Sequence, residues 1–141
     1  MTAPSPGAPG GGSTDAEHPL VLIVDDNEKN LKLARDVLRA GGFRTLEAAS
    51  GAAGIALASE HLPDVILMDL RLPDMDGTDA TRRLAERAET APIPVVALSA
   101  HSLEGGGDWL IAAGFTGWLG KPIRVSEFPD QVRRYCAEAG T

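Results

Sequence analysis

Five polar residues follow or end apolar runs of this sequence, in positions where they could form one chemical site. They are Asp25, Asp26, Asp69, Ser99 and Lys121. In an open parallel sheet, ligands bind beyond the carboxyl ends of the strands. If the apolar runs are strands of such a sheet, we expect these side chains to lie together.

The three acids of this set predict a metal site. Carboxylates gathered at one edge repel one another, so each resists ionisation unless a cation lies among them. Mg²⁺ fits best because it takes oxygen ligands, keeps several waters and is usually held by one or two carboxylates plus phosphate oxygens. We therefore expect Asp25, Asp26 and Asp69 to be Mg²⁺ ligands.

The same set also suggests phosphoryl transfer. An Asp carboxylate can act as a nucleophile and form an acyl phosphate. The transition state spreads negative charge over the equatorial oxygens, which calls for cationic and hydrogen-bonding partners. The Lys121 ammonium and the Ser99 hydroxyl would supply these partners, while one of the three acids accepts the phosphoryl group.

Apolar runs that suit buried strands recur along the chain, and five strands are predicted. The clear runs are 20–24, 64–69 and 93–98, and the weaker ones are 43–48 and 115–119. Unbroken apolar runs of this kind are typical of strands that are covered on both faces.

Helical spacing fills the segments between the runs. Apolar positions share one helix face in two sets: Leu31, Ala34, Val37 and Leu38, then Ala53, Leu57 and Ala58. Alternating strands and helices indicate right-handed crossovers and a parallel sheet with helices on both faces. The predicted fold class is doubly wound α/β.

Two later helices have predicted starts. Glycines at 105–107 disfavour helix, so the fourth helix is expected to start late, near Asp108, with Asp108 as its N-cap. The last helix is predicted over roughly 125–139.

Size and composition indicate one domain. The chain has 141 residues and 43% apolar content, enough to bury a single core. Residues 1–18 are rich in Gly, Pro, Ser and Thr and predict a flexible tail, which leaves 19–141 as the domain. The last predicted helix runs almost to the end, so no separate output domain is expected.

Charge and cysteine content exclude several function classes. A formal net charge of -7 argues against binding to nucleic acid or to anionic lipid. Apolar runs are too short to span a bilayer, so no membrane attachment is expected. The single cysteine, Cys136, cannot form an internal disulfide, which favours a reduced, cytoplasmic compartment.

Each candidate residue also has a simpler interpretation when it is taken alone. Asp25 and Asp26 could cap the first helix, and Ser99 could bond its own backbone in a turn. Trp109 is expected to pack on an amphipathic helix, and Cys136 to be a small packed side chain. The joint placement of the polar residues at strand ends favours the functional interpretation.

Several separated motifs resemble those of two-component response regulator receiver domains, over about residues 20–139. The matching segments are 24–27 (Val-Asp-Asp-Asn), 67–69 (Leu-Met-Asp), 72–77 (Leu-Pro-Asp-Met-Asp-Gly), 98–100 (Leu-Ser-Ala) and 120–122 (Gly-Lys-Pro). Their order along the chain makes the resemblance far more specific than any one motif would.

The resemblance implies a fold, a reaction and partners. It implies the flavodoxin-like strand order 2-1-3-4-5 and phosphorylation of Asp69 by a histidine kinase or a histidine phosphotransfer protein. Asp25 and Asp26 would help to bind Mg²⁺, while Ser99 and Lys121 would contact the phosphoryl group. A cis bond between Lys121 and Pro122 is also implied.

The chain is most similar to stand-alone chemotaxis and cell-cycle regulators, whose output is binding to another protein. We expect the protein to be a monomer or a weak dimer. We do not expect it to be an enzyme, except that it catalyses its own phosphorylation and dephosphorylation. Alternatives are a phosphate sink that drains a histidine kinase, a degenerate phosphate-independent receiver and a Mg²⁺-dependent phosphatase. A flavodoxin-type cofactor carrier is disfavoured by the acidic cluster.

Three positions depart from the family pattern or could modify it. Trp118 stands where the family usually has Tyr or Phe. In the family, this aromatic residue changes rotamer when the hydroxyl residue, which is Ser99 here, moves toward the phosphoryl group. Arg71 and His101 stand two residues beyond Asp69 and Ser99, at positions that influence how long the acyl phosphate survives. We therefore expect Arg71 and His101 to modulate phosphate lifetime.

Overall fold

The computed structural model describes residues 18–99 and 107–140, without the side chains of 137–140. The strands are β1 (Leu20–Val24), β2 (Arg44–Ala48), β3 (Val65–Asp69), β4 (Val95–Ser99) and β5 (Gly117–Gly120). The helices are α1 (Glu28–Ala40), α2 (Gly51–His61), α3 (Gly77–Ala85), α4 (Asp108–Ala112) and α5 (Phe128–Gly140).

The five strands form one parallel sheet in the order β2-β1-β3-β4-β5. This confirms the predicted doubly wound α/β fold and its strand order. The chain steps outward from β1 to β2 and then returns to place β3 on the other side of β1. The strand order therefore reverses between β1 and β3, and their carboxyl ends flank a crevice of the kind that binds ligands.

Alternate residues of the central strands pack into two cores, one on each face of the sheet. Val21 and Ile23 of β1 face a core shared with α1 and α5, where Leu38 and Phe128 are fully enclosed. Leu22 faces the other core, which α2, α3 and α4 cover. Both faces of β1, β3 and β4 are thus covered, which explains their unbroken apolar sequences.

Helix α2 buries only part of the predicted face, since Ala58 is enclosed and Leu57 packs against the core but Ala53 does not. Its buried positions are Gly51, Gly54, Ile55 and Ala58, whereas Ala53 is exposed. A Cβ built on Gly54 would lie 2.8 Å from a methyl group of Val24, so the helix approaches the sheet closely at this glycine. The prediction for Ala53 was wrong because backbone contact at small residues, and not apolar spacing, sets the orientation of this helix.

Helix α4 begins at Asp108 as predicted, but Asp108 is its first helical residue and Gly107 is its N-cap. The prediction that Asp108 caps the helix was therefore wrong. Trp109 is 48% exposed, and its predicted packing was also wrong, since Leu110 takes the buried position of this short helix. Helix α5 begins at Phe128, later than predicted, because residues 125–127 form a turn.

The start of the described chain is fixed against β2. The His18 imidazole lies 2.9 Å from the carbonyl oxygen of Gly42, and Arg44 donates to the carbonyl of His18. The rest of the tail predicted over 1–18 lies outside the described residues. Within 18–99 and 107–140, no helix combines the length and the apolar character needed to cross a membrane.

Candidate functional site

The end of β1 presents two carboxylates and the start of a helix. The backbone N–H of Asp25 donates to Ala48 at 3.0 Å, which continues the pairing with β2 for one residue. Asn27 then caps α1, because its side chain accepts hydrogen bonds from the N–H groups of Lys29 and Asn30 at 2.9 and 3.2 Å. The cap is therefore Asn27, and the Asp25 side chain is enclosed at the site instead.

Lys121 joins the ends of β1 and β3. Its Nζ lies 2.9 Å from Oδ2 of Asp25 and 3.3 Å from Oδ2 of Asp69, the last residue of β3. The Lys121 N–H donates to the carbonyl of Ser99 at 2.8 Å, and the bond to Pro122 is cis. The ammonium thus holds together the carboxylates at the ends of β1 and β3, and the backbone of the same residue continues the pairing with β4.

The three acids form a compact cluster. One oxygen each of Asp25, Asp26 and Asp69 lies within 4.8 Å of the others, with Asp25 buried, Asp26 exposed and Asp69 between these extremes. Burial raises the pKa of Asp69, the Lys121 ammonium opposes that rise, and the Asp25 carboxylate adds to it. A hard cation among these oxygens would favour their ionised forms, so the donor set fits Mg²⁺.

Ser99 ends β4 at the same edge of the sheet. It is buried, and it pairs with Gly120 in the register between β4 and β5. The structure therefore brings all five residues of the predicted site to the carboxyl edge of the sheet, on four different strands or the residues that follow them.

Two of the three predicted modifying residues lie in the described chain. Arg71 is exposed, its N–H lies 3.4 Å from Oδ1 of Asp69, and its backbone forms an antiparallel bridge with Asp76. Trp118 is 40% exposed, and a Cβ built on Gly107 would overlap its six-membered ring. The ring thus lies against the start of α4. His101 lies outside the described residues.

The loop after β3 contains contacts that sequence reasoning missed. Asp74 accepts hydrogen bonds from the N–H groups of Gly51 and Ala52 at 2.8 and 2.9 Å, and these bonds lower its pKa. Asp74 therefore ties this loop to the start of α2. Gly77 lies so close to β3 that a Cβ would overlap the carbonyl oxygen of Asp69. No local pattern links residues this far apart, although the motif 72–77 was recognised.

Sequence reasoning also missed the contact between Asn30 and Asp25. Nδ2 of Asn30 donates to Oδ2 of Asp25 at 3.3 Å. Asn30 belongs to the first turn of α1, a helix start that the sequence did indicate, but its direction toward Asp25 depends on the path of the chain between β1 and α1.

Cys136 lies apart from this site. It packs, partly buried, against the core formed by α1 and α5. Burial raises its pKa to about 11, so its thiol is protonated at neutral pH.

Comparisons with known proteins agree with this geometry. The family model for the response regulator receiver domain matches residues 21–133. The polar-differentiation response regulator DivK of Brucella ovis is 39% identical over 119 residues, which cover 84% of this chain and 97% of the relative.

Solved structures share the fold. The receiver domain of the sensor histidine kinase PA1611 from Pseudomonas aeruginosa, with a magnesium ion in its active-site cleft, is 32% identical, with a TM-score of 0.77 over 85% of this chain and 98% of that one. A CheY-like receiver domain protein from Methanospirillum hungatei has a TM-score of 0.78 over 87% of this chain and 97% of its own, and at 20% identity it supports the fold alone.

The family model covers most of the chain, and the relative is well above 30% identical over nearly its whole length. The strand order and the acids at the ends of β1 and β3 agree with both findings. This chain therefore belongs to the response regulator receiver domains of two-component signalling.

Proposed function

We propose that Asp69 accepts a phosphoryl group from a phosphohistidine of a histidine kinase or a histidine phosphotransfer protein, and that Asp25, Asp26 and Asp69 hold the Mg²⁺ that this reaction uses. The observation that carries the proposal is the cluster of three carboxylates with the Lys121 ammonium between Asp25 and Asp69. Magnesium in the active-site cleft of the PA1611 receiver domain supports the choice of metal.

The transfer moves one phosphoryl group. A carboxylate oxygen of Asp69 attacks the phosphorus, a bond from phosphorus to that oxygen forms, and the bond from phosphorus to the imidazole nitrogen of the donor breaks. The donor imidazole leaves as a neutral ring after it takes up a proton. Bound Mg²⁺ would neutralise charge on the phosphoryl oxygens.

Residues of this chain supply the remaining contacts. Lys121 already contacts Asp69, and its ammonium would pair with the phosphoryl oxygens as negative charge develops. The Ser99 hydroxyl would donate to the same group. Hydrolysis of the acyl phosphate by the protein itself would then reset the switch.

The output in this proposal is binding to a downstream protein. Phosphorylation adds negative charge at the end of β3, and new contacts with Ser99 and Lys121 would reorganise the surface formed by β4 and β5. Trp118 would change its side-chain position as part of this switch. Arg71 would alter the lifetime of the phosphoryl group on Asp69. The roles of Trp118, Arg71 and His101 and the cytoplasmic location stay predictions.

Intact mass spectrometry tests the proposal. The protein is incubated with Mg²⁺ and a small acyl phosphate, beside Asp69→Asn, a chelated sample and Asp130→Asn as a matched control on the exposed surface of α5. We expect one phosphoryl addition in the wild type and in Asp130→Asn, and none in the other two. Addition that persists in Asp69→Asn would contradict the assignment.

Phosphate release distinguishes the alternatives. A receiver stops near one phosphoryl group per chain until its own linkage hydrolyses, whereas a phosphatase releases phosphate continuously from added substrate.

Arg71→Ala should change the decay rate of the phosphorylated protein at fixed Mg²⁺ and leave the amount of phosphorylation unchanged. An unchanged decay rate would remove Arg71 from the account.

A further inference from the structure

Asp25 is the most enclosed acid of the site, and two side-chain donors converge on one of its oxygens. It is 1% exposed. Oδ1 accepts from the N–H of Asn27 at 2.9 Å. Oδ2 lies 2.9 Å from Nζ of Lys121 and 3.3 Å from Nδ2 of Asn30. The longer of the two Oδ2 contacts is therefore a neutral amide that stands beside a charged donor.

Helix formation does not explain the side chain of Asn30. It occupies the third position of α1, where the side chain in a capping box reaches back to the N-cap N–H. Here the N–H of the N-cap residue Asn27 donates its hydrogen bond to Asp25 instead, so the Asn30 side chain is not used for capping. Asn is also a weaker helix former than Ala. Within the described chain, the contact with Asp25 is the role that the structure gives this amide.

The direction of the contact is fixed by chemistry. An ionised carboxylate only accepts hydrogen bonds, so the Asn30 side chain must present its NH₂ group to Asp25. Among the side chains that line the small recess beside this contact, Ile23, Leu33 and Ala34 are apolar. An apolar residue of similar size at position 30 could therefore pack there without donating.

We propose that Asn30 is a positioning residue that keeps the Asp25 carboxylate bonded and oriented when Lys121 turns from Asp25 to the phosphoryl group, an inference that rests on the proposed phosphorylation of Asp69. One ammonium now contacts both acids. A phosphoryl group on Asp69 would attract it away from Asp25.

Asp25 then loses the ammonium that contacts its Oδ2. Leaving a buried carboxylate with fewer donors is costly, because its enclosure limits access of water. Asn30 already lies near the same oxygen and can shorten its bond as Lys121 departs. The same hydrogen bond would orient Asp25 toward Mg²⁺, as partners behind metal-binding carboxylates do.

The test measures Mg²⁺ binding before any phosphorylation. Isothermal titration calorimetry would compare the wild type with Asn30→Ala and Asn30→Leu, and with Lys32→Ala as a control at an exposed position of α1. We expect both Asn30 variants to bind Mg²⁺ about tenfold more weakly, and the control to match the wild type. Ala and Leu both favour helix over Asn, so α1 remains formed.

A second measurement follows phosphorylation at saturating Mg²⁺. When the concentration of a small acyl phosphate is varied, we expect the maximal rate of the Asn30 variants to fall about tenfold and the half-saturating donor concentration to stay the same. A role limited to helix stability would change the melting temperature without changing Mg²⁺ affinity or this rate.

The outcomes separate the two proposals. If the wild type binds Mg²⁺ and is phosphorylated, and both Asn30 variants match it in affinity and maximal rate, the role of Asn30 is overturned while the proposed function stands. If the wild type itself accepts no phosphoryl group, the proposed function is overturned together with the role of Asn30.

Discussion

Helix α1 follows the end of β1 and helix α4 follows the end of β4, yet their first turns are held very differently. The Asn27 side chain accepts two backbone N–H groups at the start of α1, which runs for 13 residues. Helix α4 has 5 residues, and Gly107 gives it no cap bond from a side chain within the described chain. Satisfied N–H groups and length both favour higher local stability in α1.

The same contrast extends to the strand ends that the two helices follow. Asp25 and Asp69 are fixed by the Lys121 ammonium, and Asp74 ties the loop after β3 to α2. On the other side, Trp118 of β5 is 40% exposed and lies against the start of α4. The side that would perform the chemistry is thus firmly held by contacts between separate strand ends and loops.

The largest expected effect is at Gly77. A Cβ there would overlap the carbonyl oxygen of Asp69, and backbone cannot move aside without shifting the end of β3. We expect Gly77→Ala to lower the free energy of unfolding by about 3 kcal/mol and to abolish phosphorylation. Chemical denaturation and intact mass would measure both. Gly120→Ala is the control, since a Cβ there meets no described atom within 4 Å. Equal free energies of unfolding for the two variants would contradict the close approach of Gly77 to β3.

A smaller effect is expected at the cap of α1. Asn27→Ala removes the acceptor of two N–H groups and should cost about 1 kcal/mol of unfolding free energy. Asn27→Asp keeps the acceptor and should remain close to the wild type. Hydrogen exchange of the first turn of α1 should also accelerate toward that of α4 in Asn27→Ala. No change in exchange would mean that the cap does not set the difference between the two helices.

Asp74 gives a pH-dependent effect. Its pKa is lowered by the N–H groups of Ala52 and Gly51, so its stabilising contribution is present above the ordinary value of 3.8 and is lost as the pH falls through the lower folded value. Asp74→Asn should therefore melt earlier than the wild type at pH 7, with a difference that shrinks below pH 3.8. Asp76→Asn, in the same loop, should show no comparable difference, because within the described chain its side chain forms no cap bond.

The smallest effect on stability is expected at Gly107. A new Cβ would overlap the Trp118 ring, which is an exposed side chain and can swing away. In a Trp109→Phe background, Gly107→Ala should shift Trp118 emission to the red and increase its quenching by acrylamide. The same background with Gly120→Ala should leave emission unchanged. An unaltered spectrum in Gly107→Ala would place the ring elsewhere.

The strand ends could be predicted from the sequence because each buried apolar run stops at a polar residue. That pattern located Asp25, Asp69 and Ser99, and the family resemblance supplied the strand order. The predictions that failed depended on tertiary contacts. Ala53 was misplaced because close backbone approach at Gly54 orients α2.

The contacts of Asp74 and Asn30 were missed for a related reason. Asp74 accepts hydrogen bonds from N–H groups more than twenty residues earlier in the chain, and it is separated from Gly51 by 23 positions. No local sequence pattern encodes such a bond. Asn30 lies five residues from Asp25, but its donation depends on how the chain turns from β1 into α1. Residue types thus indicated the chemistry, while the supporting hydrogen bonds required the fold.

The most direct test of the account locates the phosphoryl group by chemistry. Borohydride reduces an acyl phosphate to an alcohol, so a phosphorylated Asp becomes homoserine, which peptide mass spectrometry can assign to one position. After treatment with an acyl phosphate and Mg²⁺, we predict homoserine at position 69, at the end of β3, and nowhere else in the chain. Homoserine at Asp25 or Asp26, or none in protein that has gained a phosphoryl group, would contradict the account.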